Sequence, residues 1–333
     1  MDAKITKSRL AHMLSYDWLK IVAVATALIL FWNLLFTMTA TRARPSQQFT
    51  VFNHYANAAF SDEFHDDLAA AVSGKETFSY EVIELTTSDL TITKEQVHTI
   101  LDGRLQTDEG DVMFIPKIPD PSTAKEENGK TTYSANYLQT FTMGYRYFLE
   151  ELDPENEKIG YFHRLKTYLN GYYTEGYENA ESLDEAKIKS DFRARAKKNK
   201  DKRFKTEAQL QDGETKDVLR VQKYRDALLK FEGFLASGLV AFETVEVTDE
   251  NGKSLYSGKF ALNLCPDEDK MGNLKNYAHY VEIGKDEEGK ETYRNTAKDM
   301  CVMFFDTKGT EDSFEFESLL YVVHIIEKSI VTE

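Results

Sequence analysis

The longest hydrophobic run lies near the N-terminus. From Ile21 to Thr41 the chain reads IVAVATALILFWNLLFTMTAT, with no Asp, Glu, Lys or Arg. A helix rising about 1.5 Å per residue needs about 20 apolar residues to cross a hydrocarbon core roughly 30 Å thick. The run meets that length, and residues 19–41 are expected as a transmembrane helix behind a cytoplasmic tail of residues 1–18. Asn33 is its one strongly polar side chain. Tyr16 and Trp18 precede it, where aromatic rings favour the headgroup level.

Beyond the run the pattern shortens and alternates. Phe49-Thr50-Val51-Phe52 is β-like. Ser61-Asp62 can cap a helix through Ala71 with Phe64 and Leu68 on one face. FSYEVIEL, from Phe78 to Leu85, favours a strand. Val97, Ile100, Leu101 and Leu105 repeat at helical spacing, and Asp111 to Ile115 reads as a buried strand that Pro116 ends. This β-α-β-α-β order predicts a parallel sheet with crossover helices over residues 42–132.

Residues 133–235 read as mainly helical, in the segments Tyr137–Leu152, Gly160–Leu169, Leu183–Ala196 and Thr215–Leu235. Residues 236–333 return to mixed structure. Leu239–Val247 and Lys253–Leu264 form a hairpin pattern around Asn251-Gly252. Tyr280–Ile283 and Met300–Phe305 read as strands, and Glu317–Lys328 as a closing helix.

Charge orients the chain. Lys4, Lys7, Arg9 and Lys20 precede the apolar run, and only Arg42 and Arg44 follow it closely. The positive-inside rule then places the N-terminus in the cytoplasm and the C-terminal domain outside a cell membrane crossed once. A cleaved signal peptide is the other reading of the run; the residues after it are exported in both cases. The net charge is −15, and the first twenty residues contribute +2, which leaves about −17 for the rest. Such a surface argues against nucleic-acid binding, which needs basic faces.

Candidate chemistry is sparse. The sequence has no G-x-S-x-G, Walker, G-x-G-x-x-G or H-E-x-x-H pattern, so neither an enzyme nor a cofactor site is expected. None of the seven histidines is spaced i, i+4 from another, and no metal site is expected. The acidic group Asp62, Glu63, His65, Asp66 and Asp67 fits a helix N-terminus. Turn chemistry accounts for Asp249–Lys253 and Asp286–Lys290. Cys265 and Cys301, both exported, are a pair that could form a disulfide or remain two buried thiols.

Two features stand out. Nine of the eighteen tyrosines lie between Tyr133 and Tyr177, which suits either helix packing or a half-wet binding surface. Residues 186–205 carry ten Lys or Arg against Asp191 and Asp201, which suits anionic headgroups, an acidic partner or neutralisation of the protein's own acids.

The stretch LDGRLQTDEGDVMFIP, Leu101 to Pro116, resembles the opening lobe of the extracellular solute-binding proteins of ABC importers, of the type II periplasmic-binding-protein kind. The strand Cys301-Val302-Met303-Phe304-Phe305 and the closing helix after it resemble the end of that family. The resemblance implies an α/β fold: an N-terminal transmembrane helix, then a two-lobed domain around a cleft, with the helical middle section in the second lobe. Ligands of open α/β sheets sit beyond the carboxyl ends of strands. That points to Asn53, Tyr55, Thr87 and Lys117, with Tyr137 and Tyr173 as candidate rings. The expected function is a membrane-tethered, non-catalytic extracellular solute- or ligand-binding protein, taking a small polar ligand such as a sugar or peptide. The alternative is a scaffold or accessory subunit of a cell-surface complex, with a membrane-protein partner.

Overall fold

The computed structural model describes residues 7–39, 48–54, 84–89, 97–107, 110–127, 130–145, 149–150, 160–198, 204–248, 253–267, 280–285, 290–295, 300–305 and 316–329. The chain forms two units, Met1–Arg44 and Pro45–Glu333.

The first unit is built on helix α1 (Lys7–Thr39). Its stretch Trp18–Phe36 is long and apolar enough to cross a membrane, and none of it is buried inside protein. Leu28, Phe31 and Trp32 are each more than half exposed. A continuous apolar surface of this extent marks a membrane or partner contact. A signal sequence shares this property with an anchor.

The second unit is mixed α/β. Its main sheet has six strands in the order β2-β1-β3-β10-β7-β6. Strands β1 (Gln48–Asn53), β2 (Glu84–Asp89) and β3 (Val112–Pro116) are mutually parallel, with β1 between the other two. Strand β10 (Met300–Phe304) pairs antiparallel with β3 and with β7 (Ser254–Asn263). Strand β6 (Ala241–Thr248) completes the hairpin with β7. Two small hairpins stand apart: β4 (Ala124–Glu127) with β5 (Lys130–Tyr133), and β8 (Tyr280–Lys285) with β9 (Glu291–Asn295).

Helices cover both faces of this sheet. Successive strand residues point to opposite faces, so a strand buried on both sides reads as a continuous apolar run. In β3, Val112 and Phe114 enter one core while Met113 and Ile115 enter the other. The first core is closed by α4 (Tyr161–Asn170), α6 (Glu207–Ala236) and α7 (Glu317–Ser329). The second is closed by α2 (Val97–Leu105) and α3 (Tyr137–Gly144). Helix α5 (Glu185–Lys198) packs against α6 and buries only Ile188 and Phe192.

The parallel β1-β2-β3 group follows the expected alternation. The expected helix from Ser61 and residues 78–83 of the expected strand lie outside the described residues, as do the acidic group 62–67 and the turns 249–252 and 286–289. Two helix boundaries differ from expectation. Helix α3 has a full capping box, Asn136 with Gln139, but ends at Gly144 rather than at residue 152. Helix α6 starts at Glu207 rather than at residue 215, because Thr206 and Gln209 form a capping box ahead of Gly213. The strands of residues 236–333 join the sheet of residues 42–132, so these two sections share one layer. Cys265 and Cys301 are both buried thiols, with no bridge between them. They belong to different cores on opposite faces of the sheet.

Gly213 shows how tightly α5 and α6 meet. A Cβ there would collide with the rings of Phe192 and Phe204. Gly213→Ala is expected to destabilise the domain by about 1–3 kcal/mol through overpacking, even though alanine improves helix propensity by about 1 kcal/mol. A lower urea midpoint at unchanged slope is the expected reading. A gain in stability would show that the contact is looser than described.

Candidate functional site

The strand order marks one candidate region. Strand β1 is followed in sequence by β2 on one side, and the chain then crosses back to β3 on the other. Such a reversal leaves a crevice between the two carboxyl ends that flanking loops cannot both cover. Asn53 ends β1, His54 follows it, and Lys117 follows β3. The His54 backbone N–H donates to the Phe114 carbonyl at 2.9 Å, which extends the parallel ladder into this edge.

His54 is buried at 3% exposure, its ring 5.1 Å from Tyr137 and 6.1 Å from Phe141. Burial lowers its pKa from 6.5 to about 3; the Asp120 charge opposes the shift and His98 adds to it. The imidazole is therefore neutral at pH 7, with one ring nitrogen a donor and the other an acceptor. Asp120 is also buried, and its carboxylate accepts from Ser122 N at 2.9 Å to cap the short turn Pro121–Thr123. Lys117 forms an ion pair with Glu243 of β6. Next to the edge, Tyr145 donates its hydroxyl to Asp102 Oδ1 at 2.7 Å, and its ring stacks on Phe141 at 4.6 Å.

Three of the six sequence-derived candidates meet here. Tyr137 contacts the ring of His54, the neighbour of Asn53, and its backbone N–H donates to Ile118 O at 3.0 Å, one residue past Lys117. Thr87 lies in β2 opposite Val51 in the register, two residues short of the strand end. Tyr55 lies outside the described residues. Tyr173 does not join the group: it is buried in the first core, where Arg225 sits 5.9 Å from its ring centroid. His54, Phe141 and Asp120 complete the neighbourhood. The i, i+4 spacing of Tyr137 and Phe141 signals their shared face; nothing local in the sequence signals Asp120.

The tyrosine cluster is mostly core. Tyr137, Tyr145, Tyr161, Tyr172, Tyr173 and Tyr177 are each below 10% exposed, and Tyr133 at 48% is the open one among the described members. Several phenolic tips are spoken for, such as Tyr177 to Glu232 at 3.1 Å. Burial raises the Tyr177 pKa, and the Glu232 carboxylate raises it further.

Four of the described bases of this section meet partners in their own domain. Arg193 pairs with Glu207 and Glu214 of α6. Arg195 grips Asp217 through both carboxylate oxygens at 2.9 and 2.8 Å, and Arg220 reaches the same group at 2.6 Å. Lys189 pairs with Glu185, and Lys187 donates to Gly171 O. Lys197 and Lys198 lie on the surface at the end of α5, and Lys200, Lys202 and Arg203 lie outside the described residues. Among the described residues no three His, Cys, Asp or Glu side chains gather where they could hold a metal ion.

No protein-family model matches the sequence, and no curated protein or solved structure is significantly similar to it.

The histidine gives the edge a pH signature. Its pKa is about 3 when folded and 6.5 when unexposed surroundings are lost, so between these values the unfolded chain holds the extra proton. Stability is then complete above pH 6.5 and falls as the pH drops toward 3, by up to about 1.4 kcal/mol per pH unit. Urea unfolding between pH 7 and pH 4.5 should show this slope, and His54→Gln should flatten it. An equal slope in the variant would mean that His54 is not held neutral.

Proposed function

We propose that this chain is a membrane-tethered, non-catalytic ligand-binding domain, and that the edge between β1 and β3 receives a small polar ligand such as a sugar or short peptide. The observation that carries the reading is the reversal of strand order between β1 and β3, which brings Asn53 and Lys117 to one carboxyl edge beside Tyr137. Lys117 follows β3 with its half-exposed ammonium paired to Glu243, and the buried Asn53 and His54 stand at the end of the neighbouring β1. An apolar helix ahead of the domain is in keeping with tethering, with the N-terminus in the cytoplasm and the domain extracellular. The finer form of the reading, an importer-type solute-binding protein with a second lobe facing this edge, rests on the sequence resemblance alone.

A second reading is a scaffold or accessory subunit of a cell-surface complex. It draws on the exposed Lys197 near the end of α5, on the helix whose Arg193 and Arg195 pair with acids of α6.

A thermal-shift panel of sugars, short peptides and amino acids on the full chain in nanodiscs tests the first reading. A ligand at about 100 times its Kd adds about 2.7 kcal/mol of stability, a rise of several degrees. Lys117→Ala should abolish the rise. A panel without any shift, or a shift that survives Lys117→Ala, sinks the edge as the site.

A further inference from the structure

Thr26 and Asn33, the hydroxyl and amide side chains of the membrane-crossing stretch, lie on one side of helix α1. Along Trp18–Phe36, the residues Leu19, Ala23, Thr26, Leu30 and Asn33 follow one another at spacings of four, three, four and three. At about 3.6 residues per turn these positions share an arc of about 80°. Phe31, Trp32 and Phe36 all lie at least about 100° from the middle of that arc, and Leu28 lies opposite it. The alternation of four and three is the heptad spacing that keeps one seam turned toward a partner when two helices wind into a left-handed pair. None of the stretch is buried inside protein, and Leu19 and Leu30 are 66% and 61% exposed.

Asn33 gives that seam its chemistry. The nearest charges are Lys20 before it and Arg42 after it. At about 1.5 Å per residue both are distant enough to set the amide inside the hydrocarbon of a crossed membrane. An amide side chain carries two N–H donors and an oxygen with two acceptor sites, more than a bond within its own helix engages. Hydrocarbon supplies no water for the remaining capacity. A second helix that brings a donor and an acceptor to the same depth does supply it, and such polar side chains hold membrane helices together. Ala23 and Thr26 are small, which lets two backbones approach closely along the same seam.

We propose that α1 pairs with α1 of a second copy of this chain, as a parallel two-fold dimer within the membrane. The proposal rests on the reading of α1 as a membrane anchor. Three features select a second copy over a different membrane protein. Copies anchored with one orientation carry Asn33 at one depth, so a parallel pair is in register from the start. A two-fold interface sets a seam residue against its own counterpart. An amide is its own complement there: the N–H of one Asn33 donates to the oxygen of the other, and the reverse bond closes the pair. The seam positions carry no charge, so they offer nothing to a helix that bears an acid or a base. Leu19 and Leu30 fill the seam on either side of Ala23 and Thr26.

Energy transfer between full chains labelled at the N-terminus, measured as they are diluted into phosphatidylcholine vesicles, tests this. Transfer should fall with dilution along a monomer–dimer curve. Asn33→Leu, which suits the bilayer at least as well, should weaken pairing by about threefold to thirtyfold. Asn33→Gln keeps the amide and should keep most of the pairing, and Leu28→Ala on the opposite side should change nothing. Under oxidation Leu30→Cys should link two chains and Leu28→Cys should not. Transfer no greater than chance proximity overturns the proposal. So does pairing that Asn33→Leu leaves intact, or linkage through Leu28→Cys as readily as through Leu30→Cys. An alkaline carbonate wash of the expressing cell's membranes tells the two readings apart. A chain that washes off, or that is recovered without its apolar run, sinks the anchor and the dimer together. A retained full-length chain that stays monomeric sinks the dimer alone.

Discussion

Strand β10 stands between β3 and β7 and pairs antiparallel with both. Its five residues, Met300 to Phe304, are all buried and supply side chains to both cores. Without it the parallel group and the β6–β7 hairpin would each present an unpaired edge, a row of backbone donors and acceptors without partners. The two cores would also lose their shared wall. Closing a pairing over so many residues is entropically costly, but that cost grows only as the logarithm of loop length. The pairing is therefore affordable thermodynamically, and its expected penalty falls on folding rate.

The helical layer over the first core relies on charge as well as apolar area. Helix α5 buries only Ile188 and Phe192, so its attachment to α6 depends on Arg193 and Arg195 meeting Glu207, Glu214 and Asp217. Asp217 and Arg220 are almost fully buried. A buried pair of this kind is weak evidence of net stabilisation, because desolvation offsets the attraction, yet removing one partner leaves an uncompensated charge. The arrangement specifies which helix docks where. It also shows how two members of the basic run are matched on an acidic domain: α6 holds the carboxylates that meet Arg193 and Arg195.

The candidate edge was partly legible. Asn53 and Lys117 follow from strand ends, because an apolar run followed by polar residues marks where a strand stops. Tyr137 and Phe141 share a face through helical spacing, but that spacing does not say which strand they cover. Tyr173 shows the limit. Its type suits a wet surface, and its burial beneath Arg225 comes from the packing of α6 against the loop after α4, which no local pattern encodes. Asp120 is recognisable only after the chain brings it near His54. The α6 start was legible in Thr206 and Gln209, but Gly213 obscured it, since helix propensity disfavours glycine and the contact with Phe192 that favours it is tertiary.

Sequence alone determined the local terms. An uncharged run of membrane-crossing length, the alternation of strand and helix, the hairpin before residue 264 and the closing helix all follow from periodicity and turn chemistry, which act over a few residues. Tertiary structure decided which strands meet. It joined residues 236–333 to the sheet of residues 42–132 and put the two thiols on opposite faces. It turned most of the described tyrosines between 133 and 177 inward and met Lys189, Arg193 and Arg195 of α5 with acids. These outcomes depend on pairings between residues far apart in the chain, where the energy lies in packing and in buried charge rather than in the propensity of any one segment.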